Sequence, residues 1–309
     1  MRKMMIALTA CGFGLLMLLA GCKTNVTETF REETKDTAAE AAAVTTENER
    51  NNTEAETSVE TDVVKEKEIE ELSFPILYQD DTLSVEITKE WYANSGYLYC
   101  AHVVTSDYGR IGTYVANNKY GTSCTTSEAA GQLGALLTVN GDHMSDELGY
   151  TFARSGVLYG EDKPCYAPGI YSSFTGELHD GWEGSATGGT YFSTLMEKKY
   201  LSDTFSFGPP FLRDGVITCV AGGSCRPRTF IGYAGTPGEM YICVADGDLN
   251  DGKSEGLSIY DCAKFLSDKG CYFGIPLDGG GSSTMVWKGE VINAVKGNER
   301  AVVDFLYVK

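Results

Sequence analysis

Three apolar runs in this chain end in the same way. "GALLTVNGD" closes on Asn140, Gly141 and Asp142, and "MYICVADGD" on Asp246, Gly247 and Asp248. "YFGIPLDGGGS" closes on Asp278, with Gly279, Gly280, Gly281 and Ser282 directly behind it. A strand that ends in a carboxylate holds that acid rigidly, and loops at strand ends are where side chains converge on a ligand. Glycine lets the backbone approach a ligand closely or adopt a positive φ, and its amides can face an anion. Asp142, Asp246 and Asp278 are therefore the candidate acids. The competing reading is plain architecture, in which the glycines make a sharp turn and Asp278 caps it.

The elements that position these residues are legible around them. Each run is four to six residues long and rich in β-branched or aromatic side chains, the pattern of a strand buried on both faces. Before the third run, Ser258 and Asp261 form a capping box that starts a helix. Leu257, Tyr260, Phe265 and Leu266 give that helix its apolar side, and Gly270 stops it. A second helix is expected from near Ser127 to just before Leu136. The tail "VINAVKGNERAVVDFLYVK" alternates like two closing strands with "KGNER" between them. The order strand, loop, helix, strand predicts an α+β (mixed α/β) fold. Its centre is a mixed β-sheet with flanking helices, and loops at the strand ends form the site.

Of the 309 residues, the first 21 read as a signal peptide: Arg2 and Lys3, an apolar core from Ile6 to Leu19, and then "LAGC". The core is short for a membrane span and carries a small-residue cleavage site. "LAGC" resembles the lipobox of bacterial lipoproteins, which implies that Cys22 carries lipid and anchors the chain on the outer face of the membrane. Residues 22–72 form an acidic segment rich in Glu, Thr, Ala and Asn. After Cys22 this segment holds 15 acids against 6 bases, half of the chain's net charge of −18, so it reads as a disordered tether. Residues 73–309 suit one large domain. That domain is acidic and has no basic stripe, which argues against nucleic acid as a partner. Eight of the ten cysteines lie beyond Cys22, an even number that suggests disulfides outside the cytoplasm, with free buried thiols the alternative. The three histidines are scattered, and no metal-ligand spacing occurs.

The motifs, taken in order, resemble the phosphodiester glycosidase family. They are "VNGD" (Val139 to Asp142), "ARSGVLYG" (Ala153 to Gly160), "FSFGPPFLRDG" (Phe205 to Gly215) and "RPRTFIGY" (Arg226 to Tyr233). "VADGD", "SEGLSIYDCAKFL", "PLDGGGSSTM" and a final "ER" at Glu299 and Arg300 complete the set. The resemblance implies a hydrolase acting on glycosyl phosphodiesters, with a glycan or envelope polysaccharide as substrate and no cofactor. Calcium is the alternative that loop carboxylates leave open, without a metal-loop spacing to support it. A phosphate monoester leaves readily as an anion, so such a site needs phosphate recognition more than a strong general acid. Arg228 is the first choice for that role and Arg154 and Arg300 the next, since a guanidinium binds phosphate bidentately. Ser282 and the amides of Gly279, Gly280 and Gly281 are expected to assist. Asn140 is expected to bond a sugar hydroxyl or acetamido group. Asp278 and Asp246, at the ends of two strands separated by one helix, are expected side by side as the catalytic pair, with Asp142 the third candidate. The chain departs from the family in "DGD", where an arginine commonly stands third, and in the "HMSDELGY" that follows Asp142. Those departures leave two alternatives beside hydrolysis: a non-catalytic glycan-binding lipoprotein, and a factor in exopolysaccharide assembly or transfer.

Overall fold

The structure is a computed structural model and describes residues 72–142, 151–161, 167–181, 192–248, 253–294 and 299–309. The signal segment, Cys22 and the acidic segment up to residue 71 lie outside the described residues, as do His143 with the residues to 150, Cys165, residues 182–191, and 296–298 of the expected tail turn. The strands in chain order are β1 (Ile76–Gln79), β2 (Leu83–Tyr92), β3 (Gly96–Thr105), β4 (Ile111–Val115), β5 (Leu137–Asn140), β6 (Phe152–Arg154), β7 (Val157–Tyr159), β8 (Gly169–Ser172) and β9 (Glu177–Asp180). They continue as β10 (Asp203–Phe205), β11 (Leu212–Arg213), β12 (Val216–Ile217), β13 (Arg228–Tyr233), β14 (Glu239–Ala245), β15 (Phe273–Pro276), β16 (Met285–Trp287), β17 (Glu290–Val291) and β18 (Asp304–Val308). Three α-helices accompany them among the described residues: α1 (Thr126–Leu133), α2 (Phe192–Glu197) and α3 (Ile259–Asp268).

Two sheets carry the architecture. One has eight strands in the order β1-β2-β3-β14-β13-β15-β11-β12, and the other five in the order β17-β16-β5-β18-β4. Side chains alternate across a strand, so one sequence supplies two faces. Tyr99, Ala101, Ile242, Val244 and Ile231 of the large sheet meet Val139, Met285, Leu306 and Val308 of the small one in one core. The alternate residues Cys100, Cys243, Ala245 and Phe230 face outward onto Cys262, Phe265 and Leu266 of α3. On the far side of the small sheet, Tyr114 and Phe305 pack on Ala129 of α1. The result is helix, sheet, sheet, helix, which explains why the runs before Asp142, Asp246 and Asp278 are apolar without a break. Burying one Leu, Ile or Phe side chain in such a core stabilises the fold by about 1.5–3 kcal/mol.

The fold class is the expected α+β, and both expected helices are present. Ser258 and Asp261 bond reciprocally at the start of α3, and Thr125 and Glu128 do the same at the start of α1. Pairing differs from the expectation of a mixed sheet: every strand pair among the described residues is antiparallel. The cause is β13, which lies between β14 and β15 and pairs with both. The strand–helix–strand unit thus crosses over an occupied position, and its two strands run parallel without touching. The tail also differs. Glu290–Val291 folds back on β16 as a short hairpin, and β18 alone closes the small sheet, between β5 and β4. The seven described cysteines beyond Cys22 are thiols in this structure.

Candidate active site

Asp278 stands two residues beyond the end of β15, and the chain behind it turns through Gly280–Ser282. This turn explains the glycines. A Cβ on Gly279 would stand 2.9 Å from the Pro227 carbonyl oxygen, a contact that real side chains do not make. Gly280 has φ 62°, a conformation that glycine adopts without the usual penalty, and its amide donates to that same carbonyl at 2.9 Å. The loop is thereby pressed against the start of β13. The amide of Gly280 is spent on this contact, so the expected phosphate nest of three glycine amides is reduced to those of Gly279 and Gly281.

The cleft above this turn encloses about 320 Å³ and is lined by Asp142, Asp278, Ser282, Arg300 and the backbone stretch Ala301 to Val303. The Ser282 hydroxyl donates to Asp278 Oδ2 at 2.7 Å and accepts from Arg300 Nε at 2.8 Å and from Arg300 Nη2. Arg300 Nη2 also reaches Asp278 Oδ2 at 3.1 Å. The Asp278 side chain keeps 14% of its surface exposed and that of Arg300 53%, so both are open to a ligand. Of the three candidate arginines, Arg300, placed after Arg228 from the sequence, is the one that lines the cleft.

Asp142 lines the same cleft from the end of β5 but is bound to the protein behind it. Its Oδ2 accepts from Ser206 N at 2.7 Å and from Arg154 Nη2 at 3.3 Å. Arg154, expected as a phosphate ligand, is fully buried. Its Nε and Nη2 bond Asp304 Oδ2 at 2.9 and 2.7 Å, and its Nη1 bonds the carbonyls of Ala153 and Thr204. No phosphate can reach it without breaking these bonds, so its role is to neutralise two buried carboxylates. Two acids against one guanidinium leave an excess of negative charge in a dry place. Burial accordingly pushes the Asp142 carboxyl up, and pushes the Asp304 carboxyl up to about 7, with Arg154 opposing both shifts. Oδ1 of each accepts no hydrogen bond. Asp304 is a residue that sequence reasoning missed. The signal was present, since it is a carboxylate at the start of the apolar run "DFLYV", the mirror of the pattern that flagged Asp142.

The remaining candidates, Asp246, Asn140 and Arg228, lie outside the lining of the cleft. Asp246 is completely buried, and its carboxylate accepts from Asn293 Nδ2 at 2.9 Å and from the Ala294 amide at 3.1 Å. Because β13 lies between β14 and β15, the strands that lead to Asp246 and Asp278 are not neighbours in the sheet, and Asp246 is not among the residues that line the cleft. Asn293, a second missed residue, relays Asp246 to the turn by donating to the Ser283 carbonyl at 3.1 Å. Asn140, expected to bond the sugar, is buried and committed to the protein. Its Nδ2 donates to the Asp278 carbonyl at 2.6 Å, and its Oδ1 accepts from Thr229 Oγ1 and Thr284 N. It fixes Asp278 rather than a ligand. Arg228 lies against the turn, with Cδ 3.9 Å from the position of a Gly279 Cβ, yet outside the lining of the cleft. Its guanidinium is held by the carbonyls of Leu257 and Ser224 and pairs with no carboxylate among the described residues. Burial lowers its pKa, and a nearby anion would relieve that cost. No group of three or more His, Cys, Asp or Glu side chains converges as a metal site among the described residues.

Residues 168–309, which include Arg228, Asp246, Asp278 and Arg300, match the family described as phosphodiester glycosidase. An uncharacterised prophage-derived protein of Bacillus subtilis is 39% identical over 121 residues, which is 37% of this chain and 18% of that protein. The chain therefore spans less than a fifth of that relative's length. Among solved structures, the catalytic domain of zebrafish N-acetylglucosamine-1-phosphodiester alpha-N-acetylglucosaminidase, auto-inhibited by its pro-peptide, superposes with TM-score 0.52 at 17% identity. That match covers 76% of this chain and 83% of the zebrafish one, and it shows a shared fold. A hypothetical protein from Synechocystis gives TM-score 0.49 at 12% identity, over 76% of this chain and 64% of its own.

Proposed function

We propose that this chain, related through residues 168–309 to the phosphodiester glycosidases, hydrolyses the bond between a sugar C1 and a phosphodiester in a phosphate-containing glycan. The observation that carries the reading is the Asp278–Ser282–Arg300 cluster in one open cleft, within the matched segment. Asp278 is the partly exposed carboxylate and faces the anomeric carbon as nucleophile or base. Arg300 and Ser282 meet the phosphate, and Arg300 retains Nη1 for it beyond the two nitrogens bonded to Ser282 and Asp278. Arg228 adds positive potential beneath the glycine turn, and Asp142 holds the far wall of the cleft.

The cleft offers one carboxylate that is partly exposed and one, Asp142, that is tied down. A glycosidase expelling an alcohol requires a carboxylic acid and a carboxylate flanking the bond. A phosphate leaving group departs as an anion and dispenses with most of the acid's work. The uneven pair therefore suits a phosphodiester better than an ordinary glycoside. With Cys22 lipidated and residues 22–72 as a tether, the enzyme works from the outer face of a bacterial membrane on envelope or environmental polysaccharide. Sugar release from a panel of glycosyl-1-phosphodiesters, measured on wild type and Asp278→Asn, tests the reading. Release by wild type that vanishes in the variant supports it, and absence of release from every substrate by folded protein overturns it in favour of glycan binding without turnover.

A further inference from the structure

A second cleft, about 710 Å³ and larger than the one that holds Asp278, opens elsewhere on the molecule. Its walls are the edge strand β4, the turn after it, the last residues of α1 and the β6–β7 hairpin. In a chain of net charge −18, none of the described residues that line it has a carboxylate side chain. Its polar groups are amides and hydroxyls, with Lys309 and the inner guanidinium of Arg154 as cations. They are ordered in advance. The Tyr114 hydroxyl donates to Gln132 Oε1 at 2.6 Å, and Gln132 Nε2 donates to Asn117 Oδ1 at 2.9 Å. Aromatic rings complete it: Tyr159 is stacked on Phe152 at 5.0 Å, and Lys309 Nζ lies 5.0 Å from the centre of the Tyr307 ring.

The backbone points the same way. Asn117, Asn118 and Ser155 all hold left-handed φ, at 56°, 51° and 44°, and all three line this cleft. Such outliers persist where the surroundings impose them, and they gather at ligand sites. The amide of Ala116 donates to the Val303 carbonyl across the β4–β18 ladder. By antiparallel alternation, Thr113 and Val115 then turn their backbone groups away from β18, toward the cleft. A free sheet edge ordinarily invites a peptide strand. Here Ser155 Oγ already bonds the Thr113 carbonyl at 2.5 Å in the middle of that edge, so a strand cannot add along it. What fits is a small hydroxylated ring that takes separate donors and acceptors and stacks on tyrosine.

We propose that this cleft is a second carbohydrate site, binding uncharged pyranose units of a polysaccharide away from the bond that is cut. Asp304 and Tyr307 are three residues apart on β18 and so point to opposite faces of the small sheet. The two clefts share no lining residue, although Arg154 of this one is bonded to Asp142 of the other, and binding here does not require the bond that is cut. The test is calorimetric titration of the full chain with maltohexaose, cellohexaose, laminarihexaose and a (Thr-Val)₅ peptide. Binding of at least one hexasaccharide is expected, unchanged in Asp278→Asn and weakened about tenfold in Gln132→Ala, the equivalent of one lost hydrogen bond. Gln132 is exposed on α1, so this variant should fold, and Lys309→Ala gives a second readout free of packing effects. Sugar release from a small glycosyl phosphodiester should stay at the wild-type level in both. The proposal fails if no hexasaccharide binds the folded wild type, if both cleft variants bind as wild type does, or if binding is lost with Asp278→Asn. Binding of the peptide without competition from sugar would equally overturn it.

Discussion

The ends of β14 and β15 look alike in sequence and do opposite things. Both are apolar strands that run in the same direction and close on Asp-Gly, and α3 connects them. Yet Asp278 faces a cleft beside an arginine and a serine, whereas Asp246 is wholly enclosed and bonded to Asn293 and Ala294. The difference is made by what covers each strand end. The segment after β15 is three glycines that turn tightly against Pro227 and leave the acid uncovered. Asp246 is closed in by the residues around Asn293, which arrive from 47 positions further along the chain. An acid at a strand end is an opportunity, and the later chain decides whether it becomes a reactive group or a strut.

The sharpest way to break the comparison is to remove each charge in turn. Asp278→Asn should lower turnover by about 10²–10⁴-fold, with a melting temperature close to wild type, because its side chain is partly exposed on the cleft and belongs to no apolar core. A variant that kept its activity would return Asp278 to the role of turn cap. Removing the counter-charge in the buried cluster should do the reverse. Arg154→Met leaves Asp142 and Asp304 without their guanidinium and should cost about 3–5 kcal/mol in urea unfolding. Asp246→Ala should cost less, about 1–3 kcal/mol, since it orphans one amide side chain and one backbone amide. Its kcat, measured on the folded fraction, should stay within a few-fold of wild type. A loss as deep as that of Asp278→Asn without destabilisation would mean that the two strand ends act as a pair after all.

How much of this was legible in the chain follows from where each signal lies. Strands and helices announced themselves locally: the capping box at Ser258 and the unbroken apolar runs need no distant partner to be read. The insertion of β13 between β14 and β15 has no local signature, because it depends on which edges meet after collapse, and that single fact set apart the strands that lead to the expected pair of acids. Arginines were hardest. Arg154 and Arg300 differ little in their neighbours along the sequence, but one sits on a hairpin that the fold buries against β18 and the other on the loop that borders the cleft. The second carboxylate of the buried cluster, Asp304, lay hidden in a tail read only as closing strand.

That cluster yields the smallest effect and the most specific one. Asp304 has its carboxyl raised by burial from 3.8 to about 7, with Asp142 adding to the rise and Arg154 resisting it. Between those values the folded protein keeps a proton that the unfolded chain has released. Stability therefore falls as pH rises through this window, since the unfolded state binds fewer protons there. Asp304 carries its proton at pH 5 and gives it up as the pH rises through about 7, which adds negative charge to a dry place that holds a single guanidinium. Wild type should lose about 1 kcal/mol or more between pH 5 and pH 8, each unit of pKa shift being worth about 1.4 kcal/mol. Asp304→Asn keeps an acceptor for Arg154 and removes the surplus charge, so its unfolding free energy should be flatter over the same range. If the slope survives the substitution, the proton resides on Asp142, and the wall of the cleft rather than the strand behind it carries the titration.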